Sequence, residues 1–185
     1  MHGEFSVNNA IQEADLLIAC GMRFDDRVTG NAVTYSPNSK KIHIEIDPSE
    51  IDKNIKVDLA IIGDLRTVLR QLNPMLKKQS NNDWIKTLID WQKQSAQRDI
   101  INIETETLYA AQAIHDIWSE TKGDAIVVSD VGQHQMLEAQ YYKHDEPNTL
   151  LTSGGLGTMG FSLPAAIGAS FFRKDKHIWV IVGDG

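Results

Sequence analysis

Six short apolar runs, separated by stretches of helical periodicity, constrain this chain more than any other feature. They are Leu16 to Cys20, Ile42 to Ile46, Leu59 to Ile62, Ala125 to Ser129, Thr149 to Thr152 and Ile178 to Val182. Ile42-His43-Ile44-Glu45-Ile46 alternates with period two, as a half-buried strand does. Strands that alternate with helices pair mostly in parallel, because each helix returns the chain to the same end of the sheet. Helical character falls at Asn8 to Glu13, Thr67 to Leu76, Gln133 to Tyr142 and Leu163 to Phe172. A further helix starts from Thr107 as N-cap, with Leu108, Ala111, Ile114, Ile117 and Trp118 along one face.

The expected class is therefore α/β, with two incomplete parallel-sheet domains. Between about Lys77 and Glu104 the composition turns to Lys, Gln, Ser, Asn and Asp, yet Trp84, Leu88 and Trp91 recur at helical spacing. The division expected is a first domain over 1–76, a connector with a helix over 77–104, and a second domain over 105–185. A net charge of −7 argues against a nucleic-acid backbone as partner, since such partners are held by clustered Lys and Arg. The one cysteine, Cys20, allows no intrachain disulfide and suits a reducing compartment; within its apolar run it reads as a buried strand cysteine. No run approaches the ~20 apolar residues of a membrane helix, and Met1-His2-Gly3-Glu4 lacks the features of a signal peptide, so a cytoplasmic location is expected.

Chemistry concentrates where the apolar runs end. Ser153-Gly154-Gly155-Leu156-Gly157-Thr158-Met159-Gly160 follows one run and precedes a helix with Pro164 in its first turn. Such glycines let backbone amides approach an anion, and a helix N-terminus favours negative charge. Gly155, Gly157 and Gly160 also satisfy the dinucleotide fingerprint, which would make the acid about 20 residues on a ribose ligand in an NAD-dependent dehydrogenase. That acid is Asp184, between Gly183 and Gly185, a setting better suited to a metal-bound diphosphate.

Asp130-Val131-Gly132-Gln133-His134-Gln135 places an acid, an amide and an imidazole at another strand end, where open parallel sheets bind ligands. Gln133 and His134 can hydrogen-bond a phosphate or a reacting carbonyl; a structural histidine at a helix start is the plain alternative. In Gly21-Met22-Arg23-Phe24-Asp25-Asp26-Arg27-Val28-Thr29-Gly30, two arginines alternate with acids. They can grip a carboxylate or phosphate, or lace a surface turn with ion pairs. Glu45 and Asp64 are acids at two further strand ends, available to a nucleotide or as helix caps.

Together GMRFDDRVTG, IHIEIDPSEI, SDVGQHQM, LTSGGLGTMGFSLPAAIGA and the terminal GDG resemble the large catalytic subunit of acetolactate synthase, or acetohydroxyacid synthase, a thiamine-diphosphate enzyme. The resemblance runs over essentially the whole chain. It implies the second half of a Rossmann-like, FAD-associated central domain followed by the start of a domain that binds thiamine diphosphate and Mg2+. It also implies that Met1-His2-Gly3 is internal to a longer enzyme.

By the same resemblance, Gly21, Met22, Arg23, Phe24, Asp25, Glu45, Ile46, Asp64, Leu65, Gly154 and Gly155 contact FAD. Gln133, His134, Gly157, Thr158 and Met159 contact thiamine diphosphate, Asp184 ligates magnesium, and Gly185 lies beside it. Asp26 and Arg27 match a pair at the substrate channel, the arginine meeting the carboxylate of the second 2-oxo acid. Two departures stand out: Leu137 where many members have Trp, and Glu45 where Asp is usual.

The reaction implied joins two pyruvates into 2-acetolactate, or pyruvate and 2-oxobutyrate into 2-aceto-2-hydroxybutyrate, with release of CO2, the first common step of branched-chain amino acid biosynthesis. Partners implied are a homodimer or tetramer and a small regulatory subunit. The family's magnesium motif closes beyond Gly185 and its catalytic glutamate lies in the first domain, so this chain alone is expected to be inactive. Pyruvate oxidase, glyoxylate carboligase and 2-oxo acid decarboxylases use the same scaffold and are the nearest alternatives.

Overall fold

A computed structural model of the chain describes residues 3–104 and 106–184. Met1, His2, Thr105 and Gly185 fall outside them, and with them the contact expected at Gly185. The chain divides into two compact units, Met1–Gln97 and Arg98–Gly185.

In the first unit, α1 (Phe5–Glu13) leads into β1 (Leu16–Cys20), and the short α2 (Asp26–Thr29) precedes β2 (Lys40–Glu45). After β3 (Leu59–Ile62) come α3 (Leu65–Leu72) and the long α4 (Asn82–Arg98). The strands form a parallel sheet in the order β1-β2-β3, with Leu16 opposite Lys40 and Ile42 opposite Leu59. Alternation sends Leu17 and Ala19 into a core with Phe24, Tyr35, Ile55, Ile11, Met22 and Val57. Cys20 faces the other way and is exposed, so its expected burial is not observed.

Local chemistry moves several boundaries. Ile46 falls outside β2 and is exposed, because the Glu45 carboxylate takes the Ile46 and Asp47 amides at 2.8 and 3.2 Å and turns the chain away. The helix expected from Thr67 begins at Leu65, capped by Asp64, whose Oδ1 accepts from the Thr67 amide at 2.9 Å. It stops at Leu72 because Pro74 has no amide to continue it, and Asn73–Met75 tighten into a 3₁₀ turn. No residue of α4 is buried, and its Trp84 and Trp91 meet edge to face.

The second unit orders α5 (Ala110–Thr121), β4 (Ala125–Ser129), α6 (Gln133–Tyr141), β5 (Leu150–Thr152), α7 (Ser162–Phe172) and β6 (His177–Ile181). Tyr109, and not Thr107, stands at the N-cap of α5; its amide donates to Gln112 Oε1 at 3.0 Å. The parallel sheet runs β5-β4-β6, and every residue of the central β4 is buried. That burial on both faces explains why Ala125 to Ser129 reads as a continuous apolar run.

One face of β4 packs Val127 with Ile114, Tyr142, Ile181 and Leu137, the helices α5 and α6 covering it. The other packs Ile126 and Val128 with Ala166, Phe161 and Leu151 beneath α7. Leu137 thus serves this core. The buried Glu138 on α6 meets His144 Nε2 at 2.5 Å. Replacing His144 with alanine strands that carboxylate and should cost about 2–3 kcal/mol, read from urea unfolding.

Candidate functional site

Both sheets present their loops at the carboxyl ends of parallel strands, where side chains from different strands converge. In the second unit, Asp130 follows β4 and Gly132 leads into α6. Gly132 has φ 157° and ψ −161°, a conformation almost confined to glycine. A Cβ there would lie 2.8 Å from His134 Cε1, and one on Gly183 would lie 3.3 Å from the same atom. Two glycines thus leave room for one imidazole. His134 Nε2 is buried and has no hydrogen-bond partner among the described residues.

That imidazole lines a cleft of about 320 Å³, bounded also by Asp130, Val131, Gln133, Met159, Gly160 and Asp184. Gln133, His134, Met159 and Asp184 are therefore brought together. Gly157 and Thr158 approach through their loop, folded by Ser153, whose carbonyl accepts from Gly157 N at 3.1 Å and whose Oγ accepts from Thr158 N at 3.0 Å. Gly154 and Gly155 are exposed and do not line the cleft.

Asp130 is the organising residue that motif reading passed over as one acid among several. Its carboxylate accepts from Ser162 Oγ at 2.8 Å, from Gly160 N at 3.0 Å and from Val131 N at 2.7 Å. The Ser162 hydroxyl first, and the backbone amides after it, hold the Asp130 carboxyl below the ordinary carboxylate range. One buried side chain thus ties the end of β4 to the glycine loop and the start of α7. Gln135 adds a second tie, its Nε2 donating to Thr152 Oγ1 at 2.9 Å.

In the first unit, Gly21 N donates to Ile44 O at 2.9 Å and carries the β1 pairing into the loop. Phe24 has φ 50°, rare for a bulky residue, and is buried against Tyr35 and His43. Burial of the ring holds that conformation, and it leaves Arg23 and Asp25 at the surface, paired at 2.9 Å. Asp25 also caps α2 by accepting from Val28 N. Asn54, which no motif indicated, donates to Arg23 O at 3.2 Å. Asp26 and Arg27 are exposed in α2.

Glu45 is buried at the end of β2, beside the exposed Ile46, while Met22 and Leu65 are half-buried. The capping bonds of Asp64 occupy its Oδ1. A nucleotide-bearing cofactor fits this edge: a Cβ on Gly21 would meet nothing within 4 Å, and a buried carboxylate stands on the neighbouring strand. Thiamine diphosphate fits the second unit, where the unpartnered His134 Nε2 and the glycine loop border one cleft. For magnesium the fit is partial. Asp184 offers one carboxylate, and no cluster of three metal-binding side chains forms among the described residues. Among them, too, no helix is long and apolar enough to cross a membrane.

Comparison with known proteins agrees with this geometry. Residues 1–72 match the family described as thiamine pyrophosphate enzyme, central domain, and residues 130–185 match thiamine pyrophosphate enzyme, C-terminal TPP binding domain. The whole chain is 42% identical to the acetolactate synthase isozyme 3 large subunit of Escherichia coli and covers 33% of that protein. It is 44% identical, again throughout, to the acetolactate synthase large subunits of Lactococcus lactis and Corynebacterium glutamicum, covering 32% and 30% of them. The chain thus spans about a third of the length of the curated relatives it matches. Two successive domain families of one enzyme class place this chain among the thiamine pyrophosphate enzymes, and from end to end it is similar, at above two fifths identity, to acetolactate synthase large subunits.

Proposed function

We propose that this chain is part of an acetolactate synthase that condenses two pyruvates to 2-acetolactate, or pyruvate with 2-oxobutyrate to 2-aceto-2-hydroxybutyrate, releasing CO2. The observation that carries the reading is the cleft between Asp130 and Asp184, with a buried, unpartnered imidazole nitrogen in its wall, in a chain similar throughout to acetolactate synthases. When bound, thiamine diphosphate supplies the electron sink that lets a 2-oxo acid lose carbon dioxide.

The chain's own residues bind and orient. His134 Nε2 and Gln133 hydrogen-bond the cofactor, the backbone of Gly157 and Thr158 lies along it, and the exposed Met159 gives it an apolar support. Asp184 would give Mg2+ one carboxylate ligand, the ion serving to hold the diphosphate. Gly21, Met22, Arg23, Phe24, Asp25, Glu45, Ile46, Asp64 and Leu65 form the FAD edge of the first unit, and Gly154 and Gly155 are read by resemblance as flavin contacts as well. Asp26 and Arg27 stand at the substrate channel, where Arg27 receives the carboxylate of the second 2-oxo acid. The protein works in the cytoplasm as a homodimer or tetramer with a regulatory subunit. Residues 1–76 and 105–185 belong to its FAD-associated and diphosphate-binding domains, with 77–104 as connector.

The test is a product assay on the full-length enzyme that contains this chain, with pyruvate, thiamine diphosphate, Mg2+ and FAD. Acetolactate is the expected product; acetaldehyde or acetyl phosphate in its place would assign the scaffold to a different reaction.

A further inference from the structure

His43 sits in the middle strand of the first sheet, fully buried, and neither of its ring nitrogens has a hydrogen-bond partner among the described residues. A buried imidazole normally satisfies at least one nitrogen, so an orphaned pair calls for a reason. Strand alternation puts His43 on the same face as Lys41 and Glu45, two residues to either side. Lys41 is already engaged, its ammonium donating to Ser36 O at 2.7 Å and Ser39 O at 3.2 Å. Glu45 is engaged through one oxygen only. Oε1 accepts from the Ile46 and Asp47 amides, whereas Oε2 lies 3.7 Å from His43 Nε2.

The same imidazole meets the edge of Phe24, at 5.0 Å between ring centres. His43 therefore touches both halves of the proposed flavin edge: the ring that anchors the Arg23–Asp25 loop, and the carboxylate of the neighbouring strand. Oε2 stands just beyond hydrogen-bond range of Nε2, so a small rotation of the carboxylate closes the bond.

We infer that His43 is a positioning residue for Glu45. Its Nε2–H fixes Oε2 when a nucleotide hydroxyl or amine takes that oxygen's remaining lone pair, so that the ligand meets an acceptor aimed by three donors. The inference rests on the reading of Glu45 as a flavin contact. The bond is worth little without the ligand, and the imidazole is tolerated unpartnered for the sake of binding. His43→Leu should therefore leave the thermal midpoint unchanged or raise it, because it removes two buried polar atoms. It should also weaken FAD binding about tenfold. A residue kept only for packing cannot give that opposition of sign.

The experiment is FAD titration of the purified, flavin-stripped protein by flavin fluorescence quenching, with thermal unfolding run in parallel. His43→Gln, whose amide can place a donor near Nε2, should restore most of the affinity. In a cycle with Glu45→Gln, His43→Leu should add little further loss, since it acts through a carboxylate no longer present. Unchanged affinity in His43→Leu, or losses that simply add in the double variant, would overturn the inference while leaving the flavin reading intact. Unchanged affinity in Glu45→Gln would overturn the flavin reading of Glu45 and the inference with it. Should His43→Leu fold poorly, a purely structural histidine is indicated if His43→Gln also restores stability without restoring affinity.

Discussion

Truncating Phe24 to alanine should lower the stability of the first unit by about 3–5 kcal/mol, the range for emptying a large aromatic site. The ring is 2% exposed and closes a core built of Ala19, Tyr35 and Ile55. Its backbone sits at φ 50°, and alanine would be strained there too, so packing carries the difference. The loss should extend beyond folding, because Arg23 and Asp25 flank the ring and take their position from it. Urea unfolding of the purified protein measures the first effect and FAD titration the second. A midpoint shift below that expected for ~1 kcal/mol would show that the ring contributes little to holding this loop.

Asp130→Asn should weaken thiamine diphosphate binding about 10–100-fold, as removal of an outer-shell hydrogen-bonding partner typically does. The side chain keeps its shape, but half of its acceptors become an NH2 facing amides and a hydroxyl that already donate. The glycine loop then loses its tie to β4 while the other cleft residues remain chemically intact. Calorimetric titration of thiamine diphosphate with Mg2+ present gives the affinity; an unchanged value would sink the scaffold role.

The same carboxylate makes an acid-side prediction with a fixed sign. Its folded value is depressed, so its contribution is full above the ordinary carboxylate range and is lost as pH falls through that lower value. Wild type should therefore lose stability below about pH 4 more steeply than Asp130→Asn does.

Much of this was legible in sequence because each signal was local. The β4 run is apolar from Ala125 to Val128 since both its faces are covered, and Asp64 before Leu65 and Arg66 is a cap by its chemistry alone. Boundaries slipped where a side chain redirected the backbone, as Glu45 does at Ile46 and Gln112 at Tyr109. Cys20 reads as buried yet is exposed, because an apolar run does not say which faces of a strand are covered. Asp130 reads in sequence as one acid among several: its partners Gly160 and Ser162 lie 30 and 32 residues away, and no spacing rule announces such bonds. His43 gave no signal at all, since an imidazole inside an alternating strand reads as a solvent-facing position.

The strand registers also set the order in which the two sheets become possible during synthesis. In the first unit Leu16 pairs with Lys40, so β1 finds its neighbour soon after both are translated. In the second, Ala125 of the central strand must wait for His177, and β4 stays open on that side while α6, β5 and α7 are made. Pairings between distant residues also close more slowly. Until His177 is made, β4 therefore presents an unpaired backbone edge, and a chaperone that grips extended apolar segments would find its binding window there.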